Sequence, residues 1–181
     1  MRDEMDEDTK TMLRLKNGDR AAFDELYARF KIRIYNYIFR YLGNRYSSED
    51  VTQEVFVRMY TSAKSYEPTA RFSTWLFTIA TNLAINEHHK TRHAELFDDN
   101  SAQDNTLSTE EHAVFGNMEQ NLLKIIGNLP ENQRTALLLR SYEGMDYQEI
   151  AAVLQVSEKA VKSLLSRARE NVLHEYKNAA M

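Results

Sequence analysis

Apolar residues return every three or four positions over long stretches, and almost nothing interrupts them. From Asp19 to Leu42, Phe23, Leu26, Tyr27, Phe30, Ile34, Ile38 and Tyr41 follow the period of a helix face. A half-buried strand would alternate with period two. The 181 residues include only five Gly and two Pro, too few turn formers for a fold of many short strands. The expected class is all-α, with helices joined by short connections. Hydrophobic residues make up 43% and charged residues 28%, which is a globular rather than a disordered composition.

The absence of cysteine excludes a disulfide framework, a thiolate zinc site and a cysteine nucleophile. No apolar run approaches the roughly 20 residues of a membrane span. The N-terminal MRDEMDEDTK is acidic and lacks the apolar stretch of a signal peptide. These features lead to the expectation of a cytoplasmic protein without membrane insertion.

Net charge is −4, an unpromising total for a nucleic-acid binder, but the charge is unevenly placed. Residues 1–8 carry −4, residues 9–93 carry +6, residues 94–129 carry −6 and residues 130–181 balance. A basic unit is thus followed by an acidic segment and a neutral unit, which hints at a domain boundary and a local anion-binding face. Within the acidic part, DDNSAQDNTLST (98–109) has one Leu and no aromatic residue. It reads as linker, because it has too little apolar surface to offset its ordering entropy. The expected division is 1–93, a linker over 94–109, and 110–181.

Before the linker the pattern predicts a short helix over 9–16 and three long ones. The first, over 19–42, is stopped by Gly43-Asn44. Ser47 with Asp50 resembles a capping box for the second, which runs to about Ala63. The third opens at Phe72 or Ser73, after a loop containing Pro68. After the linker, helices are expected over 110–126, from Leu129-Pro130, and from an Asp146–Glu149 cap. Ser157 is a good N-cap for the last helix.

In YQEIAAVLQVSEKAVKSLLS (147–166), two helical periods are separated by Gln155-Val156-Ser157, and Ala151 is small where helices must cross. This is the pattern of a helix-turn-helix, whose second helix enters a DNA major groove. Lys159, Lys162, Ser163, Ser166 and Arg167 line the exposed side of that helix, where cations and hydroxyls suit phosphates and purine edges. The spacing also admits an ordinary amphipathic hairpin with a solvated basic face. Gln155 stands where such turns often have Gly.

Two other surfaces invite a binding reading. Asp50, Gln53, Glu54 and Arg58 form a polar strip opposite Val51, Val55, Phe56 and Met59; carboxylates there can accept from Arg or Lys of a partner helix. A solvated face with no partner would look the same. Residues 64–86 bring Tyr66, Phe72, Trp75 and Phe77 together with Lys64, Arg71, Asn82 and Asn86. Aromatic rings beside cations and amides suit unpaired bases. Core is the competing reading, stronger for Trp75 and Phe77 than for Tyr66 and Arg71. His89 and His93 are four apart, yet two nitrogen ligands without a third or an acid cluster make a poor metal site. No phosphate loop, Gly-x-Ser-x-Gly or zinc helix is present, so no cofactor, metal or catalytic residue is expected. A stand-alone helix-turn-helix regulator and a helical adaptor without DNA are the alternatives.

The segments GDRAAFDELYARF, EDVTQEVFVRMY, FSTWLFTIATNLAINEHHK, LPENQRTALLLRSYEGMDYQEIAAVLQVS and AVKSLLSRAREN, in this order, resemble an extracytoplasmic-function (ECF) sigma factor of the sigma-70 family. The resemblance implies two helical domains, region 2 and region 4. It implies a factor that is not an enzyme and that directs core RNA polymerase to promoters. The strip at Asp50, Gln53, Glu54 and Arg58 would dock on the β′ coiled coil, with the β flap as a second polymerase contact. Tyr66, Arg71, Phe72, Asn82 and Asn86 would engage the opened −10 element of promoter DNA. Ser157, Lys159, Lys162, Ser163, Ser166 and Arg167 would read the −35 duplex, with Arg140 on phosphate. An anti-sigma factor is a further implied partner, able to hold the chain at a membrane. Leu164 replaces an Arg common in the family, which leaves the −35 sequence open.

Overall fold

A computed structural model describes residues 5–97 and 117–179. Most of the expected linker and residues 110–116, with Val114 and Phe115 of the helix expected there, lie outside the described residues. Every element among the described residues is helical.

The first helix, α1 (Glu7–Lys16), starts at Asp6, whose Oδ1 accepts from the Thr9 N–H at 3.0 Å. The second, α2 (Ala21–Leu42), buries Leu26, Phe30, Ile34, Ile38 and Tyr41 of the expected apolar face and Tyr37 beside it, while Tyr27 of that face is exposed. Gly43 ends it in the left-handed region at φ 68°, donating its N–H to the Phe39 carbonyl at 2.8 Å. A side chain there would be strained, and Gly avoids that cost.

The third helix, α3 (Arg45–Thr61), begins one turn earlier than the Ser47–Asp50 pattern suggests. Asn44 is the N-cap: its backbone is extended and its Oδ1 accepts from Ser47 N–H at 2.9 Å. Ser47 therefore lies inside the helix. A single 3-10 turn (Ala63–Ser65) follows, and α4 (Phe72–Phe97) then runs past the expected boundary at residue 93.

The second half comprises α5 (Asn117–Gly127), α6 (Glu131–Tyr142), α7 (Tyr147–Leu154) and α8 (Glu158–Ala179). The two halves are not held apart. The buried cluster runs without interruption from Phe30, Tyr37 and Phe77 to Leu138, Leu139 and Ile150, because α6 lies on α2 and α7 lies on α4.

Arg134 of α6 marks this junction, at 4% exposure. It donates to the carbonyls of Tyr41, Gly127 and Leu129, and its guanidinium stacks over the Tyr41 ring at 4.8 Å. Carbonyls at helix C-termini lack intrahelical partners. One guanidinium thus serves the ends of α2 and α5 and adds favourable charge at both negative poles. Burial pulls the Arg134 pKa down and pushes the Tyr41 phenol up to about 12.

Candidate polymerase and nucleic-acid interfaces

On α3 the apolar side, Val51, Val55, Phe56 and Met59, is buried. Asp50, Gln53 and Arg58 are exposed and Glu54 is half-buried. Arg58 Nε donates to Glu54 Oε1 at 2.8 Å, so this carboxylate is partly matched within its own helix. The structure adds residues that charge patterning missed. Val57 and Tyr60 are 53% and 47% exposed and continue the stripe from Gln53 by one and two turns. Tyr60 packs on Phe23 and exposed Tyr27 packs on Phe56. The surface is therefore a polar strip bordered by an aromatic patch. The i, i+4, i+7 spacing of Gln53, Val57 and Tyr60 carried that signal.

The aromatic surface before α4 is corrected in two places. Tyr66 is 2% exposed and Phe72 is fully buried; neither ring can stack on a base. Tyr66 packs edge-on against Trp75 at 5.0 Å, and Phe72 packs against Phe30 at 5.2 Å. Two polar ties hold the segment inward. The Lys16 ammonium donates to the Tyr66 carbonyl at 2.6 Å, and the Phe72 N–H donates to Thr9 Oγ1 at 3.1 Å. The loop between the 3-10 turn and α4 is thus fastened to α1, a long-range packing that composition does not reveal. Trp75 is the half-buried ring, reversing the order expected for Tyr66 and Trp75. Arg71, Asn82 and Asn86 are exposed, the two amides one turn apart on α4. Arg71 pairs with Glu149 of α7 at 3.4 Å.

The helix-turn-helix is present as α7, a three-residue turn and α8. Asp146 and Glu149 form a reciprocal capping box, with bonds of 2.8 and 2.9 Å. Gln155 adopts the left-handed conformation at φ 55°, and Val156 N–H donates to the Ala151 carbonyl at 3.1 Å. Ser157 Oγ accepts from Ala160 N–H at 3.2 Å, which fixes where α8 begins. Val161, Leu165 and Ala168 point into the core. Ser157, Lys159, Lys162, Ser163, Ser166 and Arg167 are all exposed. Two hydroxyls have local partners: Ser163 donates to the Lys159 carbonyl at 3.3 Å and Ser166 to Glu170 at 3.1 Å.

Arg140 does not join this face as an outward phosphate arm. It is half-buried, donates to the Met145 carbonyl at 2.7 Å and lies over the Tyr147 ring at 5.3 Å. Its fork braces the α6–α7 turn and so sets the angle at which the helix pair is presented. His88 and His89 lie at the junction. His89 Nε2 meets Glu131 at 2.7 Å, while His88 stands edge-on to Tyr41. Burial lowers the His88 pKa, assisted by the nearby charges of Arg134, His89 and Arg92.

The sigma-70 region 2 family matches residues 26–94, and the sigma-70 region 4 family matches residues 119–172. The RNA polymerase sigma-H factor of Pseudomonas aeruginosa is 32% identical over 92% of each chain. The ECF RNA polymerase sigma factor SigW of Bacillus subtilis is 30% identical over 89% of this chain and 92% of its own. Among solved structures, CnrH in complex with the cytosolic domain of CnrY superposes with a TM-score of 0.75. It is 25% identical and the match covers 96% of this chain and 99% of that one. With both regions matched in order on the helices just described, the chain belongs to the sigma-70 family, as an ECF RNA polymerase sigma factor.

Proposed function

We propose a division of labour for this sigma factor in transcription initiation. The first unit, residues 1–93, binds core polymerase and the −10 element. The second, residues 110–181, reads the −35 element. The strip of Asp50, Gln53, Glu54 and Arg58, extended by Val57 and Tyr60, meets the β′ coiled coil, and the second unit meets the β flap. Arg71, Asn82 and Asn86 contact the opened −10 strand, with Trp75 supplying the ring assigned on sequence grounds to Tyr66. Unstacking a base costs a few kcal/mol, and an aromatic stack is worth about 1–3 kcal/mol per base. On α8, Lys159, Lys162 and Arg167 approach phosphates and base edges. The factor is not itself an enzyme, acts in the cytoplasm and is held in check by an anti-sigma factor. CnrH was solved with the cytosolic domain of CnrY bound, in keeping with a protein partner here. No helix among the described residues is long and apolar enough to cross a membrane.

The observation that carries this reading is the capped helix pair with its cationic and hydroxyl side chains turned outward, in one chain with the exposed strip on α3. Filter binding to promoter DNA with and without core polymerase tests it. Specific retention only when core is present is expected. Tight duplex binding by the chain alone would favour a stand-alone regulator, and no DNA retention in either case would favour a helical adaptor.

A further inference from the structure

The C-terminal ends of α2 and α5, the start of α6 and the second half of α4 surround a cavity of about 910 Å³. That is the size of a small-molecule site, and none of the residues assigned above to polymerase or promoter lines it. Its lining carries four cations, Arg40, Arg92, Lys124 and Arg134, against one carboxylate, Glu131. That carboxylate already meets His89 at 2.7 Å, so the cavity holds an excess of positive charge.

Two of the four cations are committed. Arg40 stacks on the Tyr142 ring at 4.1 Å, and Arg134 donates to the carbonyls of Tyr41, Gly127 and Leu129. Arg134 thereby covers the carbonyl ends of α2 and α5, which would otherwise repel an anion. Arg92 of α4 and Lys124 of α5 differ: both are exposed, and neither meets a carboxylate or a ring among the described side chains. The repulsion is felt inside the fold. Burial is the main cause of the lowered pKa of His88 and of Arg134, and the charge of Arg92 lowers both further. The N-terminus of α6 adds to the site. Its N-cap Pro130 offers no side-chain acceptor to the first-turn N–H groups, and Pro130 and Glu131 both line the cavity. Free donors at a positive helix pole suit an anion. Leu42, Leu123 and Leu129 supply apolar wall in the same cavity.

We propose that this cavity binds a small organic polyphosphate of the nucleoside di- or triphosphate class, with Arg92 and Lys124 on the phosphates and the leucines beside the organic part. The arginine fork matches phosphate oxygens in pairs, and the lysine serves as a movable point charge. Two unmatched cations from different helices suit a ligand with more than one phosphate. The apolar wall is what separates this class from an inorganic ion.

Calorimetric titration of the full chain with ATP, GTP and inorganic pyrophosphate, at fixed ionic strength in magnesium-free buffer, tests this. Saturable binding at one site per chain is expected, tighter for at least one nucleotide than for pyrophosphate, and that nucleotide should raise Tm. Arg92→Ala and Lys124→Ala should each weaken it by about tenfold, since charge-assisted bonds to phosphate are among the strong ones. Both positions are exposed, so circular dichroism should not change. Lys177→Ala, at an exposed position of α8, should leave binding as it is. The His88 imidazole gives a local readout by NMR. It faces Tyr41 of α2, Arg134 and Glu131 of α6, and His89 and Arg92 of its own helix. A bound anion offsets the cations among them, so His88 should titrate at higher pH with the nucleotide present. No saturable binding, or an equal loss in Lys177→Ala and Arg92→Ala, overturns the site. Binding of pyrophosphate as tightly as of either nucleotide overturns the ligand class. The titrations contain neither polymerase nor DNA, so they stand or fall separately from the promoter assignment.

Discussion

Replacing Arg134 by Met removes a guanidinium that holds two helix ends at once. Its three carbonyl partners, on Tyr41, Gly127 and Leu129, would each lose a charge-assisted bond. Hydrogen bonds to charged groups contribute about 1.5–3 kcal/mol each. The variant also recovers the cost of desolvating the cation, and Met fills part of the volume. Breaking a buried charged network typically costs about 3–5 kcal/mol, and these terms together give an expected loss of about 3 kcal/mol. For a chain of this length each kcal/mol moves Tm by about 2–4 °C, so a fall of about 6–12 °C is expected by calorimetry. Arg134→Lys keeps a point charge but not the fork and should fall between parent and Arg134→Met. Urea titration should show the same order. A loss below about 0.5 kcal/mol for Arg134→Met, the usual range of a surface substitution, would refute the claim that this residue ties α2 to α5.

Further outcomes follow from the same geometry. Gln155→Gly relieves a left-handed non-Gly residue and should raise stability by up to about 1 kcal/mol, read as thermal stability. Gln53→Ala with Glu54→Lys should weaken binding to core polymerase in a pull-down while circular dichroism stays unchanged; unaltered capture would remove α3 from the interface. Arg167→Lys should relax preference at one −35 position by about 1–3 kcal/mol if the fork reads a base, and weaken all promoters alike if it holds phosphate; single-base reporter variants separate the two. His88 has a lowered pKa in the fold, so its neutral form is favoured there. The corresponding stability is present above its unfolded pKa of about 6.5 and is lost as pH falls through the lower folded value. His88→Asn should flatten the pH dependence of Tm in that window.

Much of this arrangement was legible because it is local. The spacing of Leu26, Phe30, Ile34 and Ile38 specified α2 and its buried face, and Asp146, Glu149 and Ser157 marked the helix-turn-helix through bonds only three residues long. Where two local signals competed, the nearer one misled. Ser47 had the capping pattern, yet Asn44 beside Gly43 was already extended and took the cap. Tyr66 and Phe72 were misplaced for a different reason. Their burial depends on Lys16 and Thr9, more than 45 residues away, and no periodicity in residues 64–72 reports that contact. Arg140 could be recognised as cationic, but not as a brace for its own turn. Arg134 carried a signal in hindsight: it stands one turn before Leu138 on the face that α6 buries, where an exposed arginine would not belong.

The most direct test of the central claim is promoter-dependent run-off transcription by a bacterial core polymerase, with and without this chain, on a library of upstream sequences. The account predicts transcripts with defined start sites that appear only when the chain is added. The enriched upstream sequences should share two short elements about 25 base pairs apart, or about 2.4 duplex turns, and the signal should be lost with the paired Gln53→Ala and Glu54→Lys substitution. Transcription that is unchanged by the chain, or enrichment of a single palindromic element bound without polymerase, would contradict it.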